Sequence, residues 1–510
     1  AAVEPYSESE AGIIRNGMFA ALPDAFGISL GYTNDPTTFK NRSTPAPSTR
    51  SMACKAQTSG RIYLHSGPRT ELHEIIRQEY ARHQDRAVPR NTLRQAVQGM
   101  LDTFAYQNFD AAAGEYTNRC CRPPRETEMR PWRLVTEIGW TGGGVLAYPL
   151  VLCRDALGAD AEAPLAAAMS GEQLFDRIAD AYNENSGLLN DLMAPNAAGS
   201  QVNGWWTGYG LVKDCHCAYT VGSAVHYLTK TMDYLHQNGK PCPAKWMDAA
   251  QKVLHTVMDL QRADGAFGYT YSTQERKVLD WSGFAGCWFA PALVYLYRLT
   301  GEERCLHSAE KALDYYHTFV KDLNCYGTPM DTWKAVDEEG NLAFMRGSRL
   351  LYEQTGKAEF LQYMKDSAGY EFLWRYGYKT YPEHTPLNQG WSACGGAVTS
   401  VSNPHIHPMG VIIDTDLRYL ARVTGDGYYA SRAADSAAWM LQCLELYPAA
   451  TGYGRYGILS ERWCPSDGLD VERFSDGRPF SSWFSHNLWA SACVLEAACE
   501  LLLEIEHKKG

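Results

Sequence analysis

From Thr70 onward the chain alternates between stretches that are apolar all round and stretches with a single apolar stripe. ELHEIIRQEYARH (71–83), NTLRQAVQGMLDTFAY (91–106) and GGGVLAYPLVLCRDAL (142–157) place apolar residues at helical i, i+3, i+4 spacing. Further along, a Thr-Gly pair followed by a polar, aromatic-studded helix recurs at Thr300, Thr355 and Thr424. Asn238-Gly239 and Ser170-Gly171 fit the same place, at intervals of roughly 55–70 residues. Glycine there supplies a left-handed helix stop. Each unit therefore reads as an apolar helix, a glycine turn, a more polar helix and a long loop. Six apolar helices are predicted, over 142–156, 216–235, 283–299, 341–354, 408–423 and 484–506. Six such hairpins closed in a circle make an all-α (α/α)6 toroid, with the apolar helices lining the centre. Residues 1–68 lack this periodicity and are rich in Pro, Gly, Ser and Thr; they predict an irregular segment with short strands, wrapping a toroid over 69–510.

In such a ring the inner helices run parallel, so the loops that precede them meet at one mouth. Helix N-termini add partial positive charge and unpaired N–H groups there. The first loop brings Arg133, Glu137 and Trp140. The second brings Trp205, Trp206, Tyr209, Asp214 and His216, and the third Asp280 and Trp281. The fourth brings Asp331, Trp333, Asp337 and Glu338, with Arg346 a little way into the helix. The fifth, GWSACGGAVTSVSNPHIHPMG, carries Asn403, His405 and His407, and the sixth Arg455, Tyr456, Glu461, Arg462, Trp483 and His486.

Composition sharpens this picture. The net charge of −11 argues against nucleic acid or an anionic membrane as partner. No run of 18 apolar residues predicts a membrane span. With 14 Trp and 31 Tyr, many beside Gly, Asn and Asp, ring faces are available for sugar C–H surfaces. The 15 cysteines are odd in number and several fall inside apolar helices (Cys287, Cys443, Cys493, Cys499), which favours a reducing setting over a disulfide scaffold. A cytoplasm is the expected compartment, or a periplasm if a leader has been removed.

Three chemistries fit the mouth. Glycoside hydrolysis needs two carboxyl groups about 5–10 Å apart. Glu137, Asp214, Asp280, Asp337 and Glu338 are the candidates, with Asp280 and Asp214 leading because each precedes an inner helix and adjoins an aromatic or a histidine. Their Asn variants are expected to lose at least ~100-fold in turnover. Uronate elimination would instead use Asn403 to neutralise a carboxylate, with His405 or His407, Arg455 and Tyr456 as the remaining machinery. A toroid that binds glycan without catalysis is the third reading. Cys215-His216-Cys217 and His405-Ile406-His407 have the look of zinc pairs, but alternate positions at a helix start diverge, so neither metal nor another cofactor is expected.

The run of Thr-Gly hairpins, VDEEGNLAFMRGSRLLYEQTG and GWSACGGAVTSVSNPHIHPMG resemble bacterial carbohydrate-active (α/α)6 enzymes, and among them glycoside hydrolase family 154, the β-glucuronidases of gut bacteria. The resemblance spans roughly residues 70 to 506. It implies an exo-acting glucuronidase in polysaccharide degradation, a uronic-acid-capped glycan as substrate, and a homo-oligomer. Under it, Arg133, Arg346, Arg455 or Arg462 would hold the uronate carboxylate, with Trp140, Trp205, Trp206, Trp281, Asn403, His407, Tyr456, Trp483 and His486 lining the sugar.

Overall fold

In the computed structural model, the described residues are 6–9, 12–14, 17–21, 26–30, 56–59, 66–83, 86–120, 130–133, 137–139, 143–192, 204–206, 211–328, 334–379, 392–400, 403–444, 446, 457, 459–463, 482–483 and 485–507. The N-terminal segment holds short antiparallel strands. Tyr6–Ser9 pairs with Gly12–Ile14 and with Ala56–Ser59, and Gly17–Ala21 pairs with Phe26–Leu30.

The helices are α1 (Leu72–Arg82), α2 (Leu93–Thr103), α3 (Gly144–Leu157), α4 (Glu162–Ala167), α5 (Gly171–Asp180), α6 (Ala218–Gln237), α7 (Ala244–Asp259), α8 (Phe289–Thr300), α9 (Glu303–Lys321), α10 (Glu339–Thr355), α11 (Ala358–Trp374), α12 (Asp414–Thr424), α13 (Gly427–Cys443) and α14 (Leu488–His507). The expected all-α (α/α)6 toroid is what they build. The inner ring is α3, α6, α8, α10, α12 and α14, each packed on the next, and α14 returns to α3 to close the circle. These helices are buried almost all round; α6 hides every residue from Ala218 to Asp233. The outer helices bury one stripe. In α9 it is Cys305, Leu306, Ala309, Ala312, Leu313, Tyr316 and Val320, the helical spacing of an amphipathic face. Five outer helices follow their inner partners in the chain. The sixth, α2, comes from the other end and packs on α14 and α3.

The Thr-Gly turns repeat one hydrogen-bond device. Thr300, Thr355 and Thr424 each donate their hydroxyl to the carbonyl four residues back, at 2.8, 2.7 and 2.6 Å. Each accepts from the N–H two residues on, at 3.2, 3.2 and 3.3 Å. The glycine between stands at φ 73°, 66° and 71°, which a β-branched residue could not adopt without strain. The threonine thus satisfies a helix-end carbonyl and the next helix's leading N–H together. Ser170-Gly171 is a different structure: Ser170 caps the start of α5, exchanging bonds with Gln173. A short extra turn and α4 separate it from α3, whose stop is Gly158.

Two inner helices begin six residues later than the apolar pattern suggests. Tight turns at Ala285–Trp288 and Met409–Ile413 precede α8 and α12. They are as apolar as the helices they lead into, so the pattern does not mark the junction. Among the described residues no helix is long and apolar enough to cross a membrane.

Candidate functional site

Inside the ring, buried charges of the inner helices form a plug. Lys230 of α6 reaches Glu496 and Glu500 of α14, the latter at 2.8 Å. Tyr227 donates to Glu496 at 2.8 Å, while Tyr148 and Thr415 donate to Glu500 at 3.2 and 3.0 Å. Arg346 of α10 holds both oxygens of Asp416 at 3.0 and 2.8 Å and the Ile412 carbonyl at 2.8 Å. Burial and Arg346 both work to lower the Lys230 pKa, and the two glutamates outweigh them and raise it. Buried charges this tightly paired act as a rigid unit. Arg346, a carboxylate-holder in the sequence reading, is committed here to Asp416.

Two turns from Tyr227, toward the N-terminal end of α6, stands Tyr219. Its hydroxyl donates to Glu339, the first residue of α10, and burial and that carboxylate keep its pKa well above the usual tyrosine value. The same hydroxyl lies 3.8 Å from Met409 Sδ. Trp288 meets the Tyr219 ring edge-on with centroids 6.0 Å apart, and His407 stacks on Trp489 at 6.0 Å. Tyr219 and Glu339, with Cys493 of α14 beside both, bring alternate helices of the ring to a common point. This is the axial end of the mouth.

Three consecutive acids enter α10 and each has a separate fate. Asp337 accepts from the N–H groups of Thr328 (2.9 Å) and Gly340 (3.2 Å), a helix-capping role, with its pKa raised by burial to about 7. Glu338 turns the other way, fully buried, to the carboxyl of Glu371 on α11. Both lie against Gly410, where a Cβ would strike Glu338 Oε1 and stand 3.1 Å from Glu371 Oε1. Glu371 Oε1 also accepts from Arg375 at 3.1 and 2.7 Å, and Arg375 reaches Asp414 at 2.8 Å. Of the three, Glu339 is the one that meets Tyr219 across the ring.

Two carboxyl groups bond only if one carries a proton. Burial first, and Glu371 second, push the Glu338 pKa well above its usual 4.5, with Arg375 opposing. The folded chain then keeps a proton that the unfolded chain releases above pH ~4.5. Stability from this group is present below that pH and is lost as pH rises toward the folded pKa. Glu338→Gln, uncharged at every pH, should match the parent near pH 4.5 and exceed it at pH 8, by roughly 1.4 kcal/mol for each unit of pKa elevation removed. Urea unfolding at the two pH values checks this; an equal difference at both would refute the shared proton.

The leading pair of the sequence reading is not brought together. Asp280 ends the strand Val278–Asp280 and Asp214 precedes Cys215–Cys217, with Thr270–Ser272 between the two strands. Asp280 pairs with Thr270, whereas the Asp214 carbonyl accepts from Thr273. Two strand spacings and three residues of rise set their backbones roughly 14 Å apart, too far for the ~5 Å carboxyl separation of a retaining glycosidase. Asp280 is half-exposed and pairs with Lys334 at 2.6 Å. Burial works to raise its pKa, but Lys334 and the Ser282 N–H hold it below the usual range. Asp214 is exposed at φ 60°. Trp281 lies under Arg262 on the rim, 5.2 Å away. Trp205 is buried beside Cys215. Glu137 is buried in the first mouth loop, its backbone bridged to Leu192. The backbones of Arg133, Trp206, Asn403, His405, Arg462, Trp483 and His486 lie in short strands; their side chains, and all of Trp140, Arg455 and Tyr456, fall outside the described residues.

His216 bears on the zinc reading. Its Nδ1 meets Asp191 Oδ2 and its Nε2 meets Ser186 Oγ, both at 2.9 Å, and Asp191 Oδ1 accepts from Cys217 N at 3.0 Å. Both ring nitrogens are committed, so His216 has none left for a metal. The order Ser-His-Asp matches the acyl-transfer triad, but all three residues are at most 1% exposed. Here the trio ties the hairpin of Tyr182–Asn183 and Leu188–Leu189 to the start of α6.

Glu339, Tyr219, Trp288 and Trp489 were not among the residues singled out by sequence. Nor were Lys230, Glu496 and Glu500, although an i, i+4 glutamate pair inside the apolar run VLEAACELLLEIE is a signal for charge facing a ring interior.

No family profile matches the chain, and no curated protein matches it. Solved structures share its fold. Cellobiose 2-epimerase from Spirochaeta thermophila aligns over 87% of this chain and 100% of its own, with TM-score 0.51 and 12% identity. The family 76 α-mannanase BT2949 of Bacteroides thetaiotaomicron aligns over 82% and 98%, with TM-score 0.51 and 14% identity. D-mannose isomerase aligns over 81% and 97%, with TM-score 0.50 and 11% identity. At such identities the likeness defines the architecture, an (α/α)6 toroid.

Proposed function

We propose that this chain is a carbohydrate-active enzyme, a glycoside hydrolase that removes a terminal uronic acid from a glycan, with Glu339 as an essential carboxyl group. The observation that carries the reading is the axial position of Glu339. It begins α10, holds the Tyr219 hydroxyl of α6, and Tyr219 in turn meets the Trp288 ring. A carboxyl set among rings and closed from below by the charged plug suits proton transfer to a glycosidic oxygen. Glu137, the buried acid of the first mouth loop, is the candidate second carboxyl group. The substrate class follows the resemblance to family 154, and toroids that process sugars, an epimerase and a mannanase among them, support the broader class. Uronate recognition falls to His407 and to Arg133, Arg455 or Arg462, the arginines that the resemblance to family 154 offers.

Release of p-nitrophenol from the β-glucuronide, set against the β-glucoside, tests this. The glucuronide should be preferred by ~100-fold or more, since a site that pairs a carboxylate rejects the analogue without one. Absence of p-nitrophenol from every uronide would sink the hydrolase reading. Ultraviolet absorbance growing from a uronate polymer, the mark of a conjugated elimination product, would put the lyase in its place.

A further inference from the structure

Cys153 lies on α3 and Cys499 on α14, the first and last inner helices, which meet where the ring closes. Their sulfurs are 3.9 Å apart and both side chains are fully buried. They are 346 residues apart in sequence. Cys153 is five residues past Tyr148, and Cys499 stands between Glu496 and Glu500, so the pair lies directly behind the Tyr148–Glu500 bond of the bore. A disulfide requires the sulfurs to approach to about 2.05 Å with Cβ atoms roughly 3.5–4.5 Å apart. Sulfurs 3.9 Å apart have roughly 1.9 Å left to close before they bond.

We infer that Cys153 and Cys499 are a modification site, a dithiol that a two-electron oxidant converts to a disulfide pinning α3 to α14 and locking the ring shut. The two thiols give up two protons and two electrons and one S–S bond forms. With a diazenedicarboxamide as oxidant, its N=N bond takes both and becomes the hydrazine. Leu503, one turn past Cys499, is only partly buried, so the end of α14 is the nearest approach for the reagent. Burial, then the neighbouring thiol, raises the Cys499 pKa, which makes the reaction slow without preventing it. A link closing so long a loop restricts the unfolded chain strongly.

The full-length protein is treated with diamide, quenched, alkylated under denaturing conditions and digested without reductant. The expected product joins the Cys153 and Cys499 peptides, two mass units below their sum. Tm should rise by several degrees and return on adding dithiothreitol. Cys153→Ala and Cys499→Ala should each remove both the joined species and the rise. Full alkylation of Cys153 and Cys499 after exposed Cys242 has been consumed would overturn the proposal, as would a disulfide joining either thiol to another cysteine. Neither result requires a variant to fold, and neither depends on what the mouth binds.

Discussion

Replacing Glu339 by glutamine should lower kcat by about 10²–10⁴-fold, the range expected for loss of a positioned acid or base, with Tm unchanged. The side chain keeps its size, so Tyr219 can still donate to the amide oxygen and the packing around Trp288 survives. What disappears is a group that can carry or give up a proton at the axis. The assay is turnover of p-nitrophenyl β-glucuronide, with KM measured beside kcat. Loss confined to KM would make Glu339 a binding residue. Near-parental turnover would remove it from the chemistry. Asp280→Asn and Asp214→Asn belong in the same experiment. Their distance from each other, and the ion pair of Asp280 with Lys334, lead us to expect activity close to the parent. A collapse in either would return the centre to the strands before α6 and α8.

The second large effect concerns stability. Lys230→Met should cost about 3–5 kcal/mol, because it strands Glu496 and Glu500 without their cation in a setting where water cannot replace it. Lys230 is only 5% exposed, so little of that cost is screened. Replacing all three residues by methionine should recover most of the loss, since an apolar cluster of similar volume avoids the desolvation of charge. Urea unfolding of the single and triple variants tests both statements. A single variant within about 1 kcal/mol of the parent, the most that a solvent-exposed ion pair ordinarily contributes, would mean that water reaches the plug.

The ring was legible in the sequence because its turns are chemically forced. Gly301, Gly356 and Gly425 need positive φ, and Thr300, Thr355 and Thr424 serve two backbone groups each, so the motif repeats wherever the turn does. Helix starts were less legible where an apolar tight turn leads into an apolar helix, as before α8 and α12. The site was legible only as a region. Asp337, Glu338 and Glu339 are adjacent acids at one helix start, and successive helical residues point about 100° apart. Which of them faces the axis depends on how α10 is rotated against α6 and α14, and a local pattern does not contain that rotation. Asp280 and Asp214 looked equally good because proximity to a helix start was visible, while the strand that separates them was not.

The plug also bears on how the chain is made. Lys230 leaves the ribosome long before α14, the last helix of the ring to be synthesised, which brings both carboxylates that answer it. Until then α6 presents an unmatched cation on the side meant for the interior, so the ring cannot balance its charges before translation reaches that helix.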